Sequence, residues 1–141
     1  APSIAEERGI VVAEERVGAS EDFNELVTVA LLSADGERVE VAGTGFGPRN
    51  VPHLVSVYGQ SFNIEVAPHF AFFRYRDQPG MIGRVGSIFG EHGVNIASAA
   101  VGAEEGAEAV MAVTTDAPVP DDLIREIAGL DGFRDGRAVD L

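Results

Sequence analysis

The sequence predicts an α+β fold in two parts: a strand-rich first half, then a half in which strands and helices alternate. Three observations carry this. Apolar residues make up 45% of the 141 residues, enough to bury a real core. Short β-like runs separated by turn residues fill the first half. After residue 77, two segments carry helix-start signals and helical periodicity. The length suits one ordinary domain or two small ones.

Taken in order, Ser3-Ile4-Ala5-Glu6 has capping-box spacing and Gly9 supplies a stop, so a helix of about two turns is expected there. β-like runs follow at Ile10–Ala13, Leu26–Leu32, Arg38–Ala42, Leu54–Tyr58 and Ser61–Val66. Ser33-Ala34-Asp35-Gly36 reads as a hairpin, because Asp-Gly supplies the positive φ of a tight turn. One two-turn helix cannot cover a sheet of several strands, so this layer looks incomplete.

The second half opens with Phe70-Ala71-Phe72-Phe73, a strand expected to be buried on both faces. Asp77-Gln78-Pro79-Gly80 starts a helix with Pro in its first turn. Ile82, Val85, Phe89 and His92 form its stripe, and Gly93 ends it. Gly80, Gly83 and Gly86 read as flat spots where that helix packs closely on its sheet. Val94–Gly102 and Ala107–Thr115 are strands joined by a hairpin at Ala103-Glu104-Glu105-Gly106. Pro120-Asp121-Asp122 opens a second helix, with acids at the positive end of its dipole and a stripe of Leu123, Ile124, Ile127 and Leu130. Phe133–Leu141 is the last strand. The order β-α-β-β-α-β is the split βαβ, ferredoxin-like unit. Two domains are therefore expected, 1–66 and 67–141.

Charge excludes several functions. Ten basic residues, all Arg, against 23 acidic ones give 10 − 23 = −13, split as −7 over 1–66 and −6 over 67–141. That balance repels phosphate backbones and anionic membranes, so neither nucleic acid nor membrane is an expected partner. With no cysteine there is no disulfide framework, thiolate metal site or thiol nucleophile. No apolar run reaches 18 residues and no signal-peptide pattern opens the chain, so a cytoplasmic protein is expected. Ala1 in place of an initiator Met suggests a fragment.

Three apparent enzyme signals fail. Gly43-Thr44-Gly45-Phe46-Gly47-Pro48 resembles a phosphate loop, but a dinucleotide fingerprint runs into a helix, whereas here Pro48 and Pro52 precede a β run. A structural turn or bulge is the expected role. His53, His69 and His92 are scattered, with no carboxylate at ligand spacing. The adjacent pairs Glu6-Glu7, Glu14-Glu15 and Glu104-Glu105 diverge and read as solvated. No nucleophile–base pair stands out. One constellation remains: Tyr75-Arg76-Asp77-Gln78-Pro79-Gly80 at the strand-to-helix junction, and Asn95 at the start of the next strand. The βαβ unit can bring these close. Free helix amides suit a carboxylate, Asp77 an ammonium, and Asn95 offers donor and acceptor. Together they suit a free α-amino acid. Singly, Asp77 reads equally as the helix N-cap, Asn95 as a turn residue and Tyr75 as a strand edge.

Tyr75-Arg76-Asp77-Gln78-Pro79-Gly80-Met81-Ile82-Gly83 followed by Gly93-Val94-Asn95-Ile96-Ala97 resembles the signature of an ACT domain, the small-molecule regulatory module of amino-acid metabolism. The likeness runs from about 69 to 141, with the Val119-Pro120 helix start and the Ala138-Val139-Asp140-Leu141 ending. The stretches Ala1-Pro2-Ser3-Ile4-Ala5-Glu6-Glu7-Arg8-Gly9-Ile10 and Gly43-Thr44-Gly45-Phe46-Gly47 resemble the intervening, allosteric substrate-binding domain of the long bacterial D-3-phosphoglycerate dehydrogenases. The resemblance implies a regulatory C-terminal fragment, truncated at the start of the intervening domain. It holds no catalytic residue, cofactor or metal of its own, and its parent enzyme uses NAD.

The resemblance further implies feedback control by L-serine, bound where two ACT domains pair about a two-fold axis. It implies a homodimer through ACT domains and a tetramer in the full-length enzyme. Its effector-binding positions are Tyr75, Asp77, Pro79, Gly80, Asn95 and Ile96. Some members bind anions through basic residues near strand 60–66. Here Gln60-Ser61-Phe62-Asn63-Ile64-Glu65-Val66 holds none, leaving Arg49 beside Asn50 as the nearby cation. The alternatives are a purely structural oligomerisation module and the regulatory part of an iron–sulfur L-serine dehydratase.

Overall fold

The computed structural model describes residues 25–34, 36, 38–103 and 108–141, with Glu7, Val11 and Ala13 as isolated positions. The helix expected over 3–9, the run 10–13 and the turn 103–106 lie outside that set for all but single residues. The described chain is α+β, with eight strands in two antiparallel sheets and two helices.

The first sheet has the order β1-β2-β3-β4, formed by β1 (Val27–Leu32), β2 (Arg38–Phe46), β3 (Val51–Val57) and β4 (Gln60–Glu65). The β1–β2 hairpin turns at Gly36, where φ is 88° and the amide donates to the Ser33 carbonyl at 3.0 Å. β2 runs on past Ala42 through the glycine-rich stretch, with a register shift between Ala42 and Gly43. The glycines thus serve a bulged strand. A β-carbon at Gly43 would stand 3.0 Å from the His53 carbonyl oxygen.

The second sheet has the order β6-β7-β5-β8, with β5 (His69–Arg76), β6 (Ile96–Ala103), β7 (Glu108–Thr115) and β8 (Phe133–Asp140). Helices α1 (Met81–Glu91) and α2 (Asp121–Ala128) connect them in ferredoxin-like order. Strand alternation sends Ala71, Phe73 and Tyr75 of β5 and Ala109, Met111 and Val113 of β7 to the helical side. There they meet Met81, Val85, Phe89, Leu123, Ile124 and Ile127. On the opposite face Phe70 and Phe72, Ala100 and Ala112 pack on Leu54, Phe62 and Ile64 of the first sheet. β5 is buried on both faces, as its continuous apolar run requires.

The sheets approach closely where β4 passes β6. A β-carbon on Gly102 would stand 2.6 Å from the Ser61 carbonyl oxygen, so only glycine fits. Gly102→Ala is expected to cost about 1–3 kcal/mol through overpacking against backbone. The loss should show as a lower urea midpoint at unchanged m-value.

Helix α1 departs from expectation in three ways. It begins at Met81, two residues beyond Pro79, and its N-cap is Gly80 at φ 91°, a left-handed conformation favouring glycine. Its buried stripe is Met81, Val85 and Phe89, while Ile82 is 60% exposed and His92 is the exposed C-cap. The i, i+4, i+8 face that begins at Met81 meets the sheet, and Ile82 stands at its flank, in the first turn. Gly83 and Gly86 are not close-packing flat spots: β-carbons there, or at Gly90, would meet nothing within 4 Å. Gly83→Ala, Gly86→Ala and Gly90→Ala are each expected to stabilise by about 0.5–1 kcal/mol. Thermal melting of the triple variant, expected above the parent, checks this.

Candidate functional site

The β5–α1 junction is built by its backbone. After Arg76, whose amide donates to the Gly132 carbonyl at 2.8 Å, the chain leaves the sheet through exposed Asp77, half-buried Gln78, and exposed Pro79 and Gly80. Asp77 is not the N-cap. Gly80 holds that place with no side-chain cap bond, and the first turn contains no acid. The first intrahelical bond runs from the Arg84 amide to the Gly80 carbonyl at 3.0 Å. The amides of Met81, Ile82 and Gly83 thus lack a side-chain cap, at the positive end of an 11-residue helix. An incoming carboxylate can satisfy them.

Tyr75 lies beneath the junction rather than on its surface. Only 2% exposed, it packs against Phe133 with ring centroids 5.6 Å apart. Burial raises the pKa of its phenol, and the nearby Asp77 carboxylate adds to the rise. Asn95 is exposed at the head of β6, and its Nδ2 donates to Asp116 Oδ2 at 3.3 Å. Ile96 is half-buried against the helical core. Asp116 was not among the expected site residues. Its signal was the β6–β7 register, since Ile96 faces Thr115 and sets the next residues outward side by side.

Register also decides what one chain can bring together. Ile96, Thr115 and His69 share one row of the sheet, whereas Arg76 pairs with Glu108 at the other end. Seven residues of strand separate those rows, about 24 Å at the rise of a β-strand. Asp77 and Asn95 of one chain therefore stand at opposite ends of the sheet, contrary to the closeness expected within a single βαβ unit. The reason is topological: α1 reverses the chain, so β6 starts where β5 starts. Among the described residues β6 is also an outer strand of the sheet, with no strand paired to its second edge.

The three histidines make contacts within the fold. His53 Nδ1 lies 2.6 Å from Asn63 Oδ1, His69 Nδ1 lies 2.7 Å from Asp140 Oδ1, and His92 bridges the Ile88 carbonyl and Glu126. Among the described residues no three His, Cys, Asp or Glu side chains cluster as metal ligands. The stretch Gly43–Gly47 continues a strand into a turn and opens no helix, so it does not fit a dinucleotide. Among the described residues no helix is long and apolar enough to cross a membrane.

Comparison with known proteins agrees with this architecture. Residues 69–132 match the ACT domain family. The chain is 33% identical over 129 residues to the D-3-phosphoglycerate dehydrogenase of Mycobacterium tuberculosis (strain ATCC 25618 / H37Rv), covering 91% of this chain and 24% of that protein. It is 33% identical over 146 residues to the enzyme of that name from Archaeoglobus fulgidus, covering 100% and 27%. With the Synechocystis sp. protein of the same name it shares 36% identity over 140 residues, covering 97% and 24%. The chain thus spans about a quarter of its relatives' length. Its residues 69–132 are an ACT domain, and the chain is homologous along nearly its whole length to one part of the D-3-phosphoglycerate dehydrogenases.

Proposed function

We propose that this chain is the regulatory part of a D-3-phosphoglycerate dehydrogenase. In this reading residues 1–66 belong to an intervening domain and 67–141 to an ACT domain that binds L-serine between two copies, for feedback inhibition of serine biosynthesis. The observation that carries it is the separation of the two polar halves of the site. An uncapped helix N-terminus beside Asp77 stands at one end of the sheet, and Asn95 at the head of edge strand β6 stands at the other.

Antiparallel pairing of two β6 edges about a two-fold axis joins those halves. It sets the head of one β6 beside the tail of the other, at the end where the partner's Asp77 loop emerges. Two equivalent sites result. In each, the Met81–Gly83 amides take the carboxylate, Asp77 takes the ammonium, and Asn95 of the second copy closes the pocket. Pro79 and Gly80 shape the loop, Ile96 anchors the strand carrying Asn95, and Tyr75 supports the loop from below. This kit recognises an amino-acid zwitterion, and the choice of serine rests on the family resemblance. NAD binding and catalysis would fall to other segments of a parent tetramer. Inhibition then requires tighter serine binding to a low-activity arrangement, a coupling of about 1–3 kcal/mol.

The relatives reported above carry the dehydrogenase name, which favours this reading over an L-serine dehydratase. A purely structural module that dimerises through β6 is the other reading, favoured only by the outer position of β6 among the described strands. Thermal melting with titrated L-serine separates them. At a hundred times Kd, serine should add about 2.7 kcal/mol to the folded state, a rise of several degrees. D-serine, glycine and L-alanine should do less. A folded dimer unmoved by L-serine would sink the sensor reading and leave the assembly module.

A further inference from the structure

A carboxylate to which the proposed site gives no task stands beside the head of β6. Asp116 follows the last residue of β7, and the Asn95 Nδ2 donates to its Oδ2 at 3.3 Å. We propose that Asp116 is a positioning residue of the effector site, fixing the Asn95 amide so that its Oδ1 faces the ligand's ammonium. The inference rests on the two-copy site proposed above and names the group that sets its polarity.

Hydrogen-bond chemistry is the first argument. An ionised carboxylate only accepts, whereas an Asn amide carries two N–H donors on one atom and an acceptor on the other. Beside Asp116, Asn95 must therefore turn its Nδ2 inward and its Oδ1 away. Set free, the amide would have two nearly equivalent orientations, because that torsion is broad and roughly two-fold. The choice decides what the site can take. A zwitterion brings a carboxylate that accepts and an ammonium that donates three N–H bonds. In the proposed site the Met81–Gly83 amides meet the carboxylate and Asp77 covers one side of the ammonium. The second copy closes the other side, so it must present an acceptor. With Oδ1 outward Asn95 does so; turned over, it would set donor against donor.

Placement is the second. Asp116 opens the bend after β7, and that bend is tied down on both sides. Thr115, only 4% exposed, donates its hydroxyl to the Ala117 carbonyl at 2.7 Å, across Asp116. Two residues further on, Val119 is buried in the helical core. The backbone is thus anchored while the Asp116 side chain stays exposed. On the neighbouring strand Ile96 faces Thr115 and anchors the residue that follows Asn95. Asp116 makes no ion pair among the described residues. Arg38, Arg74 and Arg134 pair with Glu40, Asp135 and Glu108, and His69 and His92 with Asp140 and Glu126. The Asp116 charge therefore strengthens its bond to Asn95 and adds to the attraction for an ammonium.

The test is calorimetric titration of L-serine into the 141-residue chain and its variants, with melting curves to check folding. Asp116→Ala, an exposed truncation, should melt like the parent and bind at least about fivefold more weakly, through loss of a charge-assisted hydrogen bond. Asn95→Asp should weaken binding too, because two carboxylates then face each other. The decisive variant exchanges the pair, Asn95→Asp with Asp116→Asn. It keeps the net charge at −13 and rebuilds the bond in the opposite sense, with an oxygen at position 95 still facing the ligand. Affinity should return to within about threefold of the parent. Asp140→Ala removes an exposed carboxylate bonded to His69 at the same end of the sheet, and should bind like the parent. If Asp116→Ala binds like the parent, or the exchanged pair binds no better than Asn95→Asp, the proposal fails while the two-copy site stands. Equal weakening by Asp140→Ala would also overturn it, because lost charge alone would then explain the effect. A folded, dimeric parent that binds no L-serine would sink the site itself and this inference with it.

Discussion

Mixing Asp77→Ala chains with Asn95→Ala chains is expected to restore L-serine binding that neither variant shows alone. Each site of the proposed dimer takes Asp77 from one copy and Asn95 from the other, so either homodimer has two damaged sites. Removing a charge-assisted contact to the ammonium should cost about 1.5–3 kcal/mol, roughly ten- to a hundredfold in Kd. A heterodimer of the two variants distributes the lesions unequally. One of its sites carries both substitutions and the other carries none. With free exchange of subunits, about a quarter of all sites in the mixture should be intact, the statistical expectation for a two-fold pair. Calorimetry on the mixture should recover the parental Kd at about that stoichiometry.

The outcome depends on topology more than on side-chain placement. Had α1 delivered β6 beside the end of β5, Asp77 and Asn95 would meet within one chain, and mixing would restore nothing. A mixture as weak as its components would therefore exclude a shared site. Parental binding by Asn95→Ala alone would show that Asn95 is held only for Asp116, to which its Nδ2 donates at 3.3 Å.

Much of this was legible in the residues, and the failures share a cause. The apolar run at Phe70–Phe73 announced a strand buried on both sides, and Asp35-Gly36 announced the hairpin between β1 and β2. Pro120-Asp121-Asp122 marked the start of α2, whose N-cap is Pro120. Local signals served local structure. What could not be read were quantities set by the partner surface. The face of α1 is one, because Met81 and Ile82 are equally apolar and only the sheet selects between them. The emptiness around Gly83 and Gly86 is another, since spacing alone does not show whether a helix glycine meets anything. For the site, the motif suggested free helix amides but read Asp77 equally as the N-cap, and only the structure puts Gly80 there without a side-chain cap bond. The distance from Asp77 to Asn95 required the strand register.

Phe89→Ala is expected to be among the most damaging single truncations in the chain. Phe89 is fully buried, and its ring meets Phe73 edge-on, with centroids 6.2 Å apart and planes at 86°. Truncation removes the transfer free energy of the ring and leaves a cavity between α1 and β5, together about 3–5 kcal/mol, and it forfeits the aromatic pair. For a chain of this size that corresponds to a Tm lowered by about 10–20 °C. Ile82→Ala, nearly two turns earlier on the same helix, should change Tm by no more than a degree or two, because a largely exposed side chain contributes within about 0.5 kcal/mol. Ile82 and Phe89 are seven residues apart and lie within about 20° of each other around the helix axis, so the pair tests how far the sheet's cover extends over the first turn of α1. Equal losses would mean that the sheet also covers the flank on which Ile82 is 60% exposed. A large loss at Phe89 alone leaves that flank open to solvent beside the uncapped amides.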